Sequence, residues 1–156
     1  AEFFKQTMIQ KFGQSSLDAH FADTRDTLCY ATNENQESTY GILRQDADLA
    51  IVVGGYNSSN TSHIVELCEQ KLPTYFISSE REIESSTRIH HFDFKNQKHL
   101  ASENFLPSKN PVTIILTSGA SCPDSVVDAV LQKILTFFED VQSSEIVLDK
   151  LHLQIL

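Results

Sequence analysis

Residues 54–63, with the sequence GGYNSSNTSH, hold more hydrogen-bonding side chains than a turn requires. They follow an apolar run, 49–53, and precede residues 64–68, whose apolar positions have helical spacing. A strand, a loop of glycines and hydroxyls, and a helix start can together hold a phosphate. Backbone N–H groups and the positive end of the helix dipole then face the gap. Small polar residues also suit ordinary loops, so this run alone is equally compatible with a capped turn.

A thiol occupies a similar position earlier in the chain. Cys29 lies at the end of residues 24–30, which have strand-like composition. Asn33 and Gln36 have the spacing of a capping box, which predicts a helix from there to about residue 44. Cys29 is therefore expected between a strand and a helix, where α/β proteins carry their chemistry.

A second small polar loop comes later. Residues 112–116 form an apolar, strand-like run, and residues 117–121 form a loop that ends in Ser121. Cys122-Pro123-Asp124 then opens a helix, because proline is tolerated and aspartate is favoured in a first turn.

The order of these segments predicts an α/β fold of strand–loop–helix units with small parallel sheets. Strand 49–53, a helix over 62–71 and strand 74–78 form a β–α–β unit, whose strands are parallel neighbours joined by a right-handed crossover. Residues 79–110 are the least regular part, with one strand possible over 89–94. A helix over 4–12 ends at Gly13, and short strands are possible over 145–148 and 152–155.

The carboxyl ends of parallel strands crowd one edge of a sheet. The side chains that this edge would gather are a thiol, three donors after strand 49–53 and one hydroxyl: Cys29, Ser58, Ser59, Asn60 and Ser121. The residues therefore predict an anionic small-molecule site with a thiol beside it.

The composition excludes some classes of partner. With 156 residues and a formal net charge of −9, the chain lacks the clustered Lys and Arg of a nucleic-acid surface. No apolar run approaches the length of a membrane span, roughly 20 residues. Three scattered cysteines without a CxxC pair favour a reducing compartment over a disulfide framework.

Three motifs in register resemble the C-terminal part of the 4-hydroxy-3-methylbut-2-enyl diphosphate reductases, iron–sulfur enzymes of the methylerythritol phosphate route to isoprenoids. The motifs are DTLCYAT at 26–32 with Gln36 four positions on, VVGGYNSSNTSH at 52–63, and TSGASCPD at 117–124. The resemblance runs over nearly the whole chain.

The resemblance implies a role for each predicted site residue. Cys29 matches the last of three cysteines that hold a 4Fe–4S cluster, and Ser58, Ser59, Asn60 and Ser121 match residues that bind the substrate diphosphate. The implied reaction is a two-electron reductive loss of hydroxide that gives isopentenyl and dimethylallyl diphosphates. Ferredoxin or flavodoxin would be the electron donor, in bacterial cytoplasm or plastid stroma.

The resemblance implies that the family's other functional residues would lie upstream of this chain's first residue. They include two further cysteines, histidines, a glutamate proton source and a threonine, so no catalytic residue is expected here and the isolated chain should be inactive. Cys122 also stands where the family usually has Thr or Ala. The resemblance implies two lobes of a three-lobed pseudo-repeat, with residues 14–46 plus 112–140 in one and 47–78 in the other, without a firm boundary.

Two other interpretations of the sequence stay open. A non-catalytic phosphate-binding or partner-binding module could keep this fold without a cluster. A dinucleotide-binding domain is less favoured, because no GxGxxG follows a strand. Among the remaining groups, Cys68 is expected in the core, and His63, His90 and His91 are expected in contact with solvent.

Overall fold

The computed structural model of the chain describes residues 2–16, 20, 30–139 and 141. The chain divides into two compact units, residues 1–30 and 31–156. The described helices are α1 (Glu2–Phe12), α2 (Tyr30–Ile42), α3 (Ser59–Glu69) and α4 (Asp124–Leu135). The described strands are β1 (Leu49–Val53), β2 (Thr74–Ile77), β3 (Arg88–Asp93), β4 (Lys98–Glu103) and β5 (Ile114–Ser118). None of the described helices is long and apolar enough to cross a membrane.

The first unit contains α1, and its end is the one that the sequence predicts. Gly13 adopts a left-handed φ of +81°, and its amide donates to the carbonyl of Ile9 at 2.8 Å. This is the single-bond form of a glycine helix terminator. The predicted strand over 24–29 lies outside the described residues, whereas Tyr30 is helical rather than extended.

The second unit is built on a parallel sheet of three strands in the order β2-β1-β5. Val53 pairs with Ile77 on one side and with Ser118 on the other, so all three strands end together. The sheet confirms the predicted α/β class. It also joins strands from the predicted units 47–78 and 112–140. The division of a longer enzyme into repeated lobes stays a prediction.

The central strand β1 is buried on both faces, which explains its uninterrupted apolar sequence. Ala50 and Val52 pack with residues of α3, whereas Ile51 and Val53 pack with residues of α4. The alternation of side chains along a strand separates these two cores. The helices therefore cover opposite faces of the sheet, and both begin at its carboxyl edge.

Residues 79–110, for which the sequence predicts the least regular structure, contain an antiparallel hairpin of β3 and β4. β3 fits the predicted strand over 89–94, and β4 was not predicted. The side chain of His90 is 44% exposed, in agreement with the expected contact with solvent, whereas His91 is partly buried. His90 contacts Glu84 at 2.9 Å, and His91 contacts Ser102 at 2.9 Å.

Several element boundaries differ from the sequence prediction. The second helix begins at Tyr30, so Asn33 lies inside it and donates to Glu37 at 3.1 Å instead of capping it. Helix α3 begins three residues earlier than predicted, at Ser59. Strand β5 is displaced two residues toward the C-terminus. The predicted strands over 145–148 and 152–155 lie outside the described residues.

Candidate functional site

The carboxyl ends of β1 and β5 form a polar edge that α2 lines from one side. Asn35 Nδ2 donates to the carbonyl of Ser118 at 3.2 Å, and the hydroxyl of Thr39 lies 3.4 Å from that of Thr117. Asn35 and Thr39 are four residues apart, so they share a helix face. This face fixes α2 against the end of β5.

The N-terminus of α3 opens onto the same edge. Ser58 is its N-cap, with extended backbone, and its side-chain oxygen accepts a hydrogen bond from the amide of Thr61 at 3.3 Å. A hydroxyl that accepts in this way keeps its own proton for another acceptor. Ser59 follows in the first turn and is exposed. The first turn holds no acidic residue, so no carboxylate offsets the positive end of the helix dipole.

Asn60 presents a free donor at this edge. Its Oδ1 accepts a hydrogen bond from Gln36 Nε2 at 3.4 Å, which leaves the Nδ2 donor of the same amide for another acceptor. Its Nδ2 is buried and has no hydrogen-bond partner among the described residues. A buried donor without a partner costs about 1–3 kcal/mol, and an oxygen atom that accepted from Asn60 Nδ2 would remove this cost.

Two glycines let α3 approach the sheet closely. A Cβ on Gly54 would lie 2.8 Å from two atoms of Thr61, and a Cβ on Gly119 would lie 2.0 Å from Thr61 Oγ1. Thr61 itself is fully buried. Neither glycine has a positive φ. Close packing, rather than turn formation, therefore requires glycine at these positions, and it brings the N-terminus of α3 beside the end of β5.

Ser121 lies in the loop between β5 and α4 and is exposed. The loop turns through a hydrogen bond from the amide of Cys122 to the carbonyl of Gly119 at 2.9 Å. Because β5 is the neighbour of β1, this loop is on the same edge as Ser58, Ser59 and Asn60. Burial, with a smaller contribution from Asp124, raises the pKa of the Cys122 thiol.

The thiols do not form a metal site in the described part of the chain. Cys29 lies outside the described residues. Cys68 is fully buried in the core beside β1, as predicted, and burial raises its pKa to about 11. The residues that the structure describes hold no group of three or more His, Cys, Asp or Glu placed to bind a metal ion. They do not by themselves fit an iron–sulfur cluster, which three or four cysteines normally hold.

His63 agrees with the expectation of a solvated residue. It lies on α3 beyond the first turn, is exposed, and its Nδ1 is 3.6 Å from a Glu66 carboxylate oxygen that is also exposed. It makes no hydrogen bond or ion pair with Asn60 or Ser121, so we assign it no part in the site.

Sequence reasoning missed the part that α2 plays at this edge. Gln36 entered only as a motif residue, and neither Asn35 nor Thr39 was singled out. Their partners lie between 24 and 83 positions away in sequence, so no local pattern pointed to them. The available signal was polar residues at helical spacing on a helix that lies beside the sheet.

Comparison with known proteins gives a consistent picture. The profile of the family described as LytB protein matches residues 3–135. A 4-hydroxy-3-methylbut-2-enyl diphosphate reductase from Thermosynechococcus vestitus is 44% identical over 134 residues, which is 85% of this chain and 33% of the relative. The reductase of Gloeobacter violaceus is 37% identical over 134 residues, again 85% of this chain and 32% of the relative. This chain thus spans about a third of the length of these relatives.

A solved structure shares the fold. It is titled "Structure of (E)-4-Hydroxy-3-methyl-but-2-enyl Diphosphate Reductase, the Terminal Enzyme of the Non-Mevalonate Pathway". The match has a TM-score of 0.50 at 21% identity, and it covers 86% of this chain and 40% of the other. At this identity the match supports the α/β fold and not the role of any residue.

Proposed function

The chain belongs to the LytB protein family, and we propose that it forms the diphosphate-binding part of a 4-hydroxy-3-methylbut-2-enyl diphosphate reductase. In this proposal Ser58, Ser59, Asn60 and Ser121 bind the substrate's diphosphate. Since the chain spans about a third of its curated relatives, the remaining part of the enzyme supplies the catalytic groups.

The amide of Asn60 gives the main support for this function. Gln36 holds its oxygen, and its nitrogen is buried without a partner in the described part of the chain. The helix N-terminus and the hydroxyls of Ser58 and Ser59 lie beside it. Together they form a set of oriented donors for which a phosphate oxygen is the matching acceptor.

The site would bind its anion with neutral donors. Neither segment 54–63 nor segment 117–124 contains a Lys or Arg. Hydrogen bonds and helix dipoles, which act at short range, would therefore hold the diphosphate. Salt would weaken such binding less than it weakens binding by exposed lysines, because screening acts most on separated exposed charges.

The cluster belongs to the assembled enzyme in this proposal. Cys29, which matches a cluster cysteine of the reductases through the motif at 26–32, is this chain's one proposed ligand to a 4Fe–4S cluster, and Cys68 lies in the core. When bound, such a cluster supplies electrons and a Lewis-acidic iron for the reductive loss of a hydroxyl. Ferredoxin or flavodoxin would deliver the electrons, in bacterial cytoplasm or plastid stroma.

Titration calorimetry with inorganic pyrophosphate tests the diphosphate site on this chain. Wild type is expected to bind, and Asn60→Asp should weaken binding more than tenfold, because it replaces the free donor with a negative charge. Asn57→Asp is the matched control for the added negative charge, since Asn57 lies on the same loop and is exposed. Absence of binding by wild type, or equal binding by the Asn60 variant, would overturn the proposal.

A non-catalytic phosphate-binding module is the second candidate, because the donors at the N-terminus of α3 would suit a phosphate without any cluster. Anaerobic incubation of the chain with iron and sulfide, with and without the rest of the enzyme, separates the two. The reductase proposal predicts a 4Fe–4S absorption spectrum only in the assembled enzyme, and its loss in Cys29→Ser. A complete enzyme that kept its spectrum and activity after Cys29→Ser would exclude Cys29 as a ligand.

A further inference from the structure

Tyr56 connects the loop after β1 to the segment after β2. Its hydroxyl donates to Glu82 Oε1 in a short hydrogen bond. The other oxygen of Glu82 accepts from the backbone amide of Ser78 at 2.5 Å and from its hydroxyl at 3.1 Å. Ser78 is the first residue after β2. The Glu82 carboxylate therefore links the end of β2 to the middle of the loop 54–58 through hydrogen bonds.

Aromatic rings hold the body of Tyr56 at the same time. Its ring stacks on Phe92 at 4.5 Å between centroids, and it meets Phe76 edge-on at 5.1 Å. The ring of His99 lies against it at 5.3 Å. Phe92 and His99 belong to the β3–β4 hairpin, so the hairpin contributes to the position of this loop.

The hydroxyl of Tyr56 is a donor at every ordinary pH. Burial and the hydrogen bond to Glu82 raise the pKa of Tyr56 to about 12. Because the acceptor is a carboxylate oxygen, this hydrogen bond is charge-assisted, which makes it stronger than a bond between neutral groups.

We propose that Tyr56 and Glu82 are positioning residues of the diphosphate site: they brace the loop 54–58 from the β2 side, so that Ser58, Ser59 and Asn60 face the β5 side. This inference rests on the proposed function. The loop is held from both neighbours of β1, because Thr61 packs against Gly119 on the β5 side. The Tyr56 side chain makes no hydrogen bond to Ser58, Ser59, Asn60 or Ser121, so it acts through the backbone between Tyr56 and Ser58.

A braced loop favours binding because its donors are ordered before the anion arrives. A loop free to move would lose conformational entropy on binding, and this loss would weaken affinity. Tyr56→Phe removes the hydroxyl and keeps the ring contacts, so it isolates the bond to Glu82. Tyr75→Phe is the matched control, because Tyr75 also packs on aromatic neighbours and its hydroxyl makes no hydrogen bond to another described residue.

The test measures pyrophosphate affinity and amide hydrogen exchange on the 156-residue chain, at a temperature where every variant is folded. Tyr56→Phe and Glu82→Gln should each raise the Kd for pyrophosphate about tenfold, the size of one hydrogen bond to a charged group. Each should also speed exchange of the amides of residues 57–59 in the unliganded chain, because the loop opens more often. Tyr75→Phe should change neither quantity.

The outcomes separate this inference from the proposed function. If Tyr56→Phe lowers the melting temperature but leaves both the Kd and the exchange of residues 57–59 at wild-type values, its role is structural and the inference fails. If wild type binds no pyrophosphate, the proposed function fails. Amide hydrogen exchange alone then decides whether Tyr56 and Glu82 hold the loop 54–58 in place. Faster exchange of the amides of residues 57–59 in Tyr56→Phe supports this role, and unchanged exchange overturns it.

Discussion

Gly119→Ala should destabilise the protein strongly, although it adds one methyl group. The new Cβ would lie 2.0 Å from Thr61 Oγ1, whereas real contacts of this kind stay beyond 3.0 Å. Helix α3 and the end of β5 must therefore move apart by about 1 Å. Overpacking of this kind costs about 1–3 kcal/mol, and we expect about 3 kcal/mol because Thr61 is fully buried and cannot swing into solvent.

A double-mutant cycle with Thr61→Ala identifies the cause. Removing the hydroxyl and methyl of Thr61 leaves its Cβ, at 3.1 Å, as the nearest atom to the new methyl group. We expect Thr61→Ala alone to cost about 1 kcal/mol. The double variant should then be about 2 kcal/mol more stable than the sum of the single changes predicts. Urea unfolding followed by circular dichroism gives each free energy of unfolding.

Gly41→Ala is the matched control for this cycle. Gly41 lies in α2, is exposed, and would place its Cβ in open space. The substitution should stabilise the protein by about 0.5–1 kcal/mol through helix propensity. If Gly119→Ala proved neutral, or cost as much in the Thr61→Ala background as in wild type, the packing explanation for Gly119 would be refuted.

Two further predictions concern titratable groups. Lys109 and the amide of Thr113 lower the pKa of Asp48. Ionised Asp48 therefore stabilises the folded protein above the ordinary aspartate pKa, and this stabilisation is lost as pH falls through the lowered pKa. Asp48→Asn should therefore be less stable than wild type at pH 7, and urea titrations should show the difference shrinking below about pH 4. Burial raises the pKa of Cys68 to about 11 and also raises that of Cys122. Mass spectrometry should therefore find slow alkylation of Cys122 by iodoacetamide at neutral pH, and alkylation of Cys68 only after unfolding.

The sheet could be predicted from sequence because its central strand has a distinctive pattern. β1 is buried on both faces, so five successive apolar residues followed by two glycines predict a parallel strand and its βα loop. β2 was placed to within one residue by the same reasoning. Ser58, Ser59, Asn60 and Ser121 could then be placed on one edge, because a parallel sheet brings its carboxyl ends together.

The start of α3 could not be read locally. Ser59 and Asn60 suit a loop as well as the first turn of a helix, since small polar side chains compete for backbone hydrogen bonds in both. The bond from the amide of Thr61 to the side chain of Ser58, together with the packing of Thr61 against Gly119, decides in favour of helix.

The β3–β4 hairpin and the hydrogen bond between Tyr56 and Glu82 could not be predicted from sequence for a different reason. β4 has the sequence KHLASE and is exposed at five of its six positions, so it lacks the alternation that marks a half-buried strand. Glu82 lies 26 positions from Tyr56. A single carboxylate among several in residues 79–84 gives no sign of which one accepts from a distant tyrosine.

Diffraction from crystals of this chain grown with inorganic pyrophosphate would test the central claim most directly. We expect the pyrophosphate to lie at the carboxyl edge of β1 and β5, with one oxygen within hydrogen-bond distance of Asn60 Nδ2 and others near the hydroxyls of Ser58, Ser59 and Ser121. Pyrophosphate bound only elsewhere, with Asn60 Nδ2 still unpartnered, would contradict the assignment of this edge as the diphosphate site.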